Sequence, residues 1–176
     1  MAKSAKSGGP LVGIVMGSDS DWELMQRCAA QLEEFSIPFE VRILSAHRTP
    51  VEAHGYAAGA AARGLKVVIA AAGMAAHLAG AMAAASPLPV IGVPMATGPL
   101  HGVDALLSTV QMPAGVPVAT VGIGAAGAVN AAILAAQMLG LADVAIAGRV
   151  AAYRSAQADK VRMKDAAFAA KQPPGR

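Results

Sequence analysis

"LVGIVMGSDSDWELMQRCAAQLEEF", residues 11–35, decides the fold. Its first seven residues are an apolar run closed by Gly17, the length and character of a strand buried on both faces. Polar N-cap candidates follow, and then Met25, Cys28, Leu32 and Phe35 recur at helical spacing. A strand that passes at once into a helix is one β-α unit. Outward from it the same alternation repeats. Strands are predicted at 39–44, 66–73, 88–94 and 117–124. Helices are predicted from Pro50 to about Arg63, over the small-residue run "AAHLAGAMAAA", near 102–110, and over 126–140 up to Gly140. Pro50 suits the first turn of its helix, where no N–H is needed. Five β-α repeats whose strands are apolar on both faces predict an α/β fold, a parallel sheet covered by helices on both sides. A last helix is expected over about 142–168, with Ile146, Val150, Tyr153, Gln157 and Val161 on one stripe. Residues 1–10 read as a disordered lead-in, 11–168 as one catalytic domain and 169–176 as a tail.

Composition narrows the function. The chain has 176 residues, 55% of them hydrophobic, 14% charged and 3% aromatic. Between Val67 and Ala142 the only Asp, Glu, Lys or Arg is Asp104. Glycines and prolines interrupt that stretch too often for a membrane span, which needs roughly 18 or more apolar residues in a row. An uncharged middle therefore predicts a soluble protein that buries surface between subunits. The helices after the third and fifth strands are expected at those subunit contacts, with Tyr153 and Val161 of the last helix docking on a neighbour. The net charge of +3 is spread without a basic run, so nucleic acid is not the expected partner and a small acidic substrate is. The single cysteine, Cys28, excludes an internal disulfide and sits on an apolar stripe as a structural thiol. The N-terminal "MAKSAKSGGP" has no signal-peptide pattern, and a cytoplasmic location is expected.

Ligands of open parallel sheets bind outside the carboxyl ends of the strands. Four segments fall there: "GSDSD" (17–21), "SAHRTP" (45–50), "AGMAAHL" (72–78) and "PMATGPLHG" (94–102). Gly17 and the hydroxyl of Ser18 or Ser20 at a helix start suit a phosphate, and Asp21 suits a sugar hydroxyl. The same residues also serve as ordinary N-caps. No Gly-Lys-Ser/Thr follows, so this is not a Walker loop, and it lacks the Gly spacing of a dinucleotide fold. In "SAHRTP", His47 is the side chain that exchanges a proton near neutral pH. Arg48 beside it is a permanent, fork-shaped anion anchor. His77 is a second histidine at a strand end. His54 reads as a helix-surface residue and His101 as a residue of the rim. The four histidines have no zinc-type spacing and no cysteine or carboxylate pair joins them, so no metal is expected. A nucleophilic serine is also excluded, because "GSDSD" is not the G-x-S-x-G elbow.

Taken in order, "VMGSDSDW", "SAHRTP", "AGMAAHL", "PVIGVP", "GVDALLSTVQMPAGVPVATVGIG" and "AGAVNAAILAAQ" resemble the bacterial N5-carboxyaminoimidazole ribonucleotide mutases of purine biosynthesis, over roughly residues 11–142. The resemblance implies a flavodoxin-like three-layer α/β/α sandwich and a homo-octamer with sites between subunits. It also implies an extended C-terminal helix reaching a neighbour. The implied reaction moves a carboxylate from N5 of the aminoimidazole to C4 without cofactor, ATP or metal. Onto matching positions it places Ser18 at the phosphate and Asp21 at the ribose. Ser45, His47 and Arg48 fall at the reacting centre, with His47 as acid and base. Gly73, Ala75, Ala76 and His77 fall in the loop over the imidazole. The chain departs from the family pattern at Met74, Ala79 and Ala125, where the family has Gly, Pro and often Lys. Gly at the first of these points to a close backbone approach or a positive φ. Three alternatives stay open. One is the related carboxylase, which takes free CO2; in that branch the loop reads Arg-Ser-Asn-Gly, and His77 here favours the mutase. Another is a non-catalytic flavodoxin-like module binding a flavin or nucleotide, and the third, resting only on Met74, is a degenerate structural paralogue.

Overall fold

The computed structural model describes residues 9–171; the expected lead-in lies outside them but for its last two residues, and so does the tail beyond Lys171. Among the described residues the elements run β1 (Val12–Met16), α1 (Trp22–Glu34), β2 (Phe39–Ile43), α2 (Pro50–Ala58), β3 (Val67–Gly73), α3 (Leu78–Ala85), β4 (Val90–Met95), α4 (Val103–Val110), β5 (Ala119–Thr120), α5 (Gly124–Gly140) and α6 (Val144–Ala169). The five strands are parallel, in the order β2-β1-β3-β4-β5. All residues of β1 and β4 are buried, as strands sandwiched between two helical layers must be. β2 departs from that pattern, because it is an edge: Arg42 and Ile43 are exposed.

Two cores flank the sheet. On one face Ile14, Met16, Ile69, Ile91 and Val93 meet α1 and α5 through Met25, Cys28, Leu32 and the run Ala128, Ala131, Ala132, Ala135 and Ala136. On the other, Val15, Val68 and Ala70 meet α2 and α3 through Ala53, Tyr56, Ala57, Leu78, Ala79 and Met82. The alanines of α5 are thus consumed inside the chain, where small side chains let helix and sheet approach closely. The half-buried Ile133 and Leu134 and the exposed Asn130 and Gln137 lie on the side left over for the subunit contacts expected of that helix. The stripe assigned to Cys28 is a core stripe, and burial pushes its thiol up to about 12, so it stays protonated and inert.

Two boundaries differ most from expectation. α2 stops at Ala58, with Gly59 as its C-cap and Gly64 at φ +96 closing the following turn. β5 is two residues long instead of eight. It pairs with β4 only at Ile91 and Gly92, and the Val121 N–H reaches the Gly92 carbonyl at 3.1 Å. The next β4 residue facing that way is Pro94, which has no N–H to extend the ladder. Finally, Tyr153 has a partner within its own chain. Its ring meets Phe35 edge-on, centroids 5.4 Å apart. Ile146 and Val150 join the α1–α5 core, and the Arg149 guanidinium donates to the Phe35 carbonyl. The first half of α6 is therefore held by its own chain. Beyond it Val161, Met163 and Phe168 are exposed.

The strand order positions the site. β1 feeds α1 on one face and β3 feeds α3 on the other, yet the two strands are neighbours. Their outgoing loops diverge and leave a crevice at the carboxyl edge.

Candidate active site

Gly17 ends β1 with its N–H on the Ala71 carbonyl at 3.0 Å, which anchors the loop beside β3. Ser18 then leaves in an extended conformation and caps a one-turn 3-10 helix, Asp19–Asp21, that leads into α1. Its hydroxyl oxygen accepts from the Ser20 N–H at 3.3 Å and from the Ser20 hydroxyl at 2.9 Å, and it donates to Asp19 Oδ1 at 3.1 Å. Asp21 is only 4% exposed. Desolvation by burial holds its carboxyl above the ordinary 3.8; a hydrogen bond from the Ser18 backbone opposes the rise and the Asp19 charge adds to it.

The second wall comes from the end of β2. Ser45 and Thr49 close a tight turn: the Ser45 N–H donates to Thr49 Oγ1 at 2.9 Å and the Thr49 N–H to the Ser45 carbonyl at 2.9 Å. Thr49 is also the N-cap of α2, with Pro50 after it. Within this turn the Arg48 N–H is held by Ser45 Oγ at 3.1 Å. The Arg48 side chain crosses to β1, where Nη2 donates to the Gly17 carbonyl at 2.8 Å and Nε to Ser45 Oγ at 3.4 Å. Two of five guanidinium N–H groups are so used to aim the fork.

β3 supplies the third wall. Gly73 must be a glycine, since a Cβ there would collide with the Thr97 side chain arriving from the end of β4. Met74 adopts φ +55, the positive φ to which the family's glycine at that position points. Ala75 lines the crevice, while Ala76 is buried and anchors the loop from beneath. His77 starts α3. Its Nδ1 stands 2.8 Å from His47 Nε2, the rings edge-on with centroids 4.9 Å apart. One of those nitrogens carries the proton and the other accepts, so the two imidazoles act as one unit.

These walls enclose a cleft of about 440 Å³ lined by Gly17, Ser18, Asp21, Ser45, His47, Arg48, Gly73, Ala75 and His77, among others. A small-molecule site has this size. Of the residues expected from sequence, only Ala76 stays behind the wall. Ser20 and Met74 line the cleft too, and so does Thr97, which had not been selected though it lies in a segment read as a strand end. His54 is exposed on α2 and His101 is exposed in the β4–α4 loop, and neither lines the cleft. Among the described residues no three His, Cys, Asp or Glu side chains group as metal ligands. The arrangement has a fixed cation, a shared-proton imidazole pair and a buried carboxyl around one small volume. It can bind an anionic, hydroxylated ligand and pass a proton to and from it.

Comparison with known proteins places this geometry. Residues 11–160 match the AIR carboxylase family model. The chain is 60% identical over 157 residues to the N5-carboxyaminoimidazole ribonucleotide mutase of Mycobacterium tuberculosis, covering 89% of each chain. It is 56% identical over 141 residues to the enzyme of that name from Bacillus subtilis, covering 80% of this chain and 87% of that one. The crystal structure of Treponema denticola PurE superposes with a TM-score of 0.82 at 32% identity, over 93% of this chain and 99% of that one.

Proposed function

The chain belongs to the AIR carboxylase family, and from that premise we propose that it is an N5-carboxyaminoimidazole ribonucleotide mutase, an isomerase of purine biosynthesis. The observation that carries the chemistry is the His47–His77 pair, 2.8 Å apart on the wall of a cleft that also holds Arg48, Ser18 and Asp21. The substrate is a ribonucleotide with a phosphate, two ribose hydroxyls and a carbamate. Ser18 and the Gly17 backbone receive the phosphate, Asp21 accepts from the ribose, and Arg48 with Ser45 pairs with the anionic carboxylate. Gly73, Ala75 and His77 pack over the imidazole, on a loop seated by Ala76.

His47, charged, gives its proton to N5 as the N5–carboxyl bond breaks. CO2 and the aminoimidazole remain together in the cleft, which raises their effective concentration. C4 attacks CO2, the new carbon–carbon bond forms, and the now neutral His47 removes the C4 proton. One proton leaves and one returns, so the net change is an isomerisation. One residue serves as acid and then as base, the work for which imidazole is suited. His77 holds the His47 ring in place between the two steps.

We place the enzyme in the cytoplasm as a homo-octamer. Exposed apolar residues on α4 (Val103, Leu107, Val110) and on the outer half of α6 support assembly. No helix among the described residues is long and apolar enough to cross a membrane.

The test is direct. Freshly made N5-carboxyaminoimidazole ribonucleotide is supplied without ATP or added bicarbonate, and 4-carboxy-5-aminoimidazole ribonucleotide is followed by its ultraviolet absorbance. Conversion is expected. Product formed only from the unmodified aminoimidazole ribonucleotide plus bicarbonate would assign the carboxylase reaction instead.

A further inference from the structure

The hydroxyls lining the cleft belong to Ser18, Ser20, Ser45 and Thr97. The serines are engaged by the protein itself: Ser20 donates to Ser18, Ser18 donates to Asp19, and Ser45 Oγ accepts from the Arg48 N–H and Nε. The other threonines of the chain, Thr49, Thr109 and Thr120, each donate to a backbone carbonyl. Thr97 Oγ1 has no hydrogen-bond partner among the described residues, yet it is held in place. It fills the space that a Cβ on Gly73 would take, and the Thr97 N–H donates to the Met95 carbonyl at 2.9 Å, which fixes the backbone where β4 ends. Gly73 thus leaves room for a hydroxyl that any side chain there would expel.

The strand order sets Thr97 across the cleft from His47 and Arg48. Those two follow β2, Thr97 follows β4, and β1 and β3 lie between. In the mutase reading, on which this inference rests, the substrate turns the C4–C5 edge of its imidazole to His47, and its ribose and phosphate to the β1 loop. One hydrogen-bonding atom of the ring is then uncommitted, the lone pair of N3. We propose that Thr97 is a specificity-determining residue whose hydroxyl donates to N3 of the imidazole, beside Gly73. A threonine hydroxyl carries the donor that this lone pair needs. Substrate and product both keep N3, so the bond acts on affinity and not on the bond changes. It lets the site tell an imidazole from a five-membered ring with carbon at that position, because the carbon would leave the hydroxyl unpaired.

The experiment is calorimetric titration with 4-carboxy-5-aminoimidazole ribonucleotide and with its pyrrole analogue, in which CH replaces N3. Wild type is expected to bind the imidazole about three- to tenfold more tightly than the pyrrole, the scale of one neutral hydrogen bond. Thr97→Val keeps the shape and removes the hydroxyl. It is expected to bind the two nucleotides within about twofold of each other, by weakening on the imidazole alone. Thr97→Ser, which keeps the hydroxyl, is expected to retain the wild-type preference. In conversion assays Thr97→Val is expected to raise KM by about the factor lost in binding and to hold kcat within about twofold, as removal of uniform binding does. A preference that survives in Thr97→Val would overturn the proposal, as would a wild type that binds both nucleotides equally. A wild-type chain that binds neither overturns the mutase reading itself, a result distinct from either of these.

Discussion

Asp21→Asn is the perturbation that separates binding from stability at this site. The carboxyl is 4% exposed, and burial holds its pKa above the ordinary 3.8 in the folded chain. The folded state thus binds the proton more tightly than the unfolded state. Between the two pKa values it carries more protons, and stability falls as pH rises through that window. Above the folded value the carboxylate is ionised and its lost hydration is a fixed cost to the fold. Asparagine has the same shape, keeps an oxygen able to accept the Ser18 backbone N–H, and carries no charge to desolvate or to repel Asp19. At neutral pH the variant should be more stable by about 1 kcal/mol, the scale of a typical stabilising change, or roughly 2–4 °C in Tm for a chain of this size. Binding should move the other way. A hydrogen bond to a charged acceptor contributes about 1.5–3 kcal/mol against about 0.5–1.5 kcal/mol for a neutral one, so exchanging carboxylate for amide at the ribose should raise the nucleotide Kd by about tenfold. Thermal melts of the free protein across pH 4–8, paired with calorimetric titration of the nucleotide, read both quantities. An asparagine variant that is less stable than wild type at pH 7 and binds with unchanged Kd would refute both the desolvation argument and the ribose assignment.

His47→Asn should cut turnover by at least about a hundredfold, the low end of acid/base contributions, with nucleotide binding largely kept; rapid-mixing assays and titration separate the two. Arg48→Ala should weaken binding by about 1.5–3 kcal/mol, with the loss shrinking in high salt, since the guanidinium is exposed and its field is screened. Truncation after Leu141 removes Ile146 and Val150 and uncovers Phe35. At about 1.5–3 kcal/mol for each buried aliphatic side chain, Tm should fall on the order of 10 °C. Light scattering on the same samples should report a smaller assembly.

The α/β class was legible because it depends on local pattern: runs such as Val67–Gly73 are too short for helices and apolar on both faces, and Met25, Cys28, Leu32 and Phe35 keep helical spacing in one stripe. The strand-end segments followed from that alternation, and so did His47, Arg48 and His77, because costly side chains stand out at the ends of apolar strands. The hydrogen bond between His47 and His77 was not legible. It joins residues thirty positions apart and exists because the order β2-β1-β3 brings the ends of β2 and β3 to either side of β1. Thr97 was invisible for the same reason, since only the pairing of β3 with β4 sets its side chain against Gly73. The length of β5 turned on Pro94 of a neighbouring strand, and the partner of Tyr153 on where α6 folds back over α1. Spacing along the chain determines which face a residue presents. What meets that face is decided by which strands pair and how the helices pack on them, and those are contacts between residues far apart in sequence.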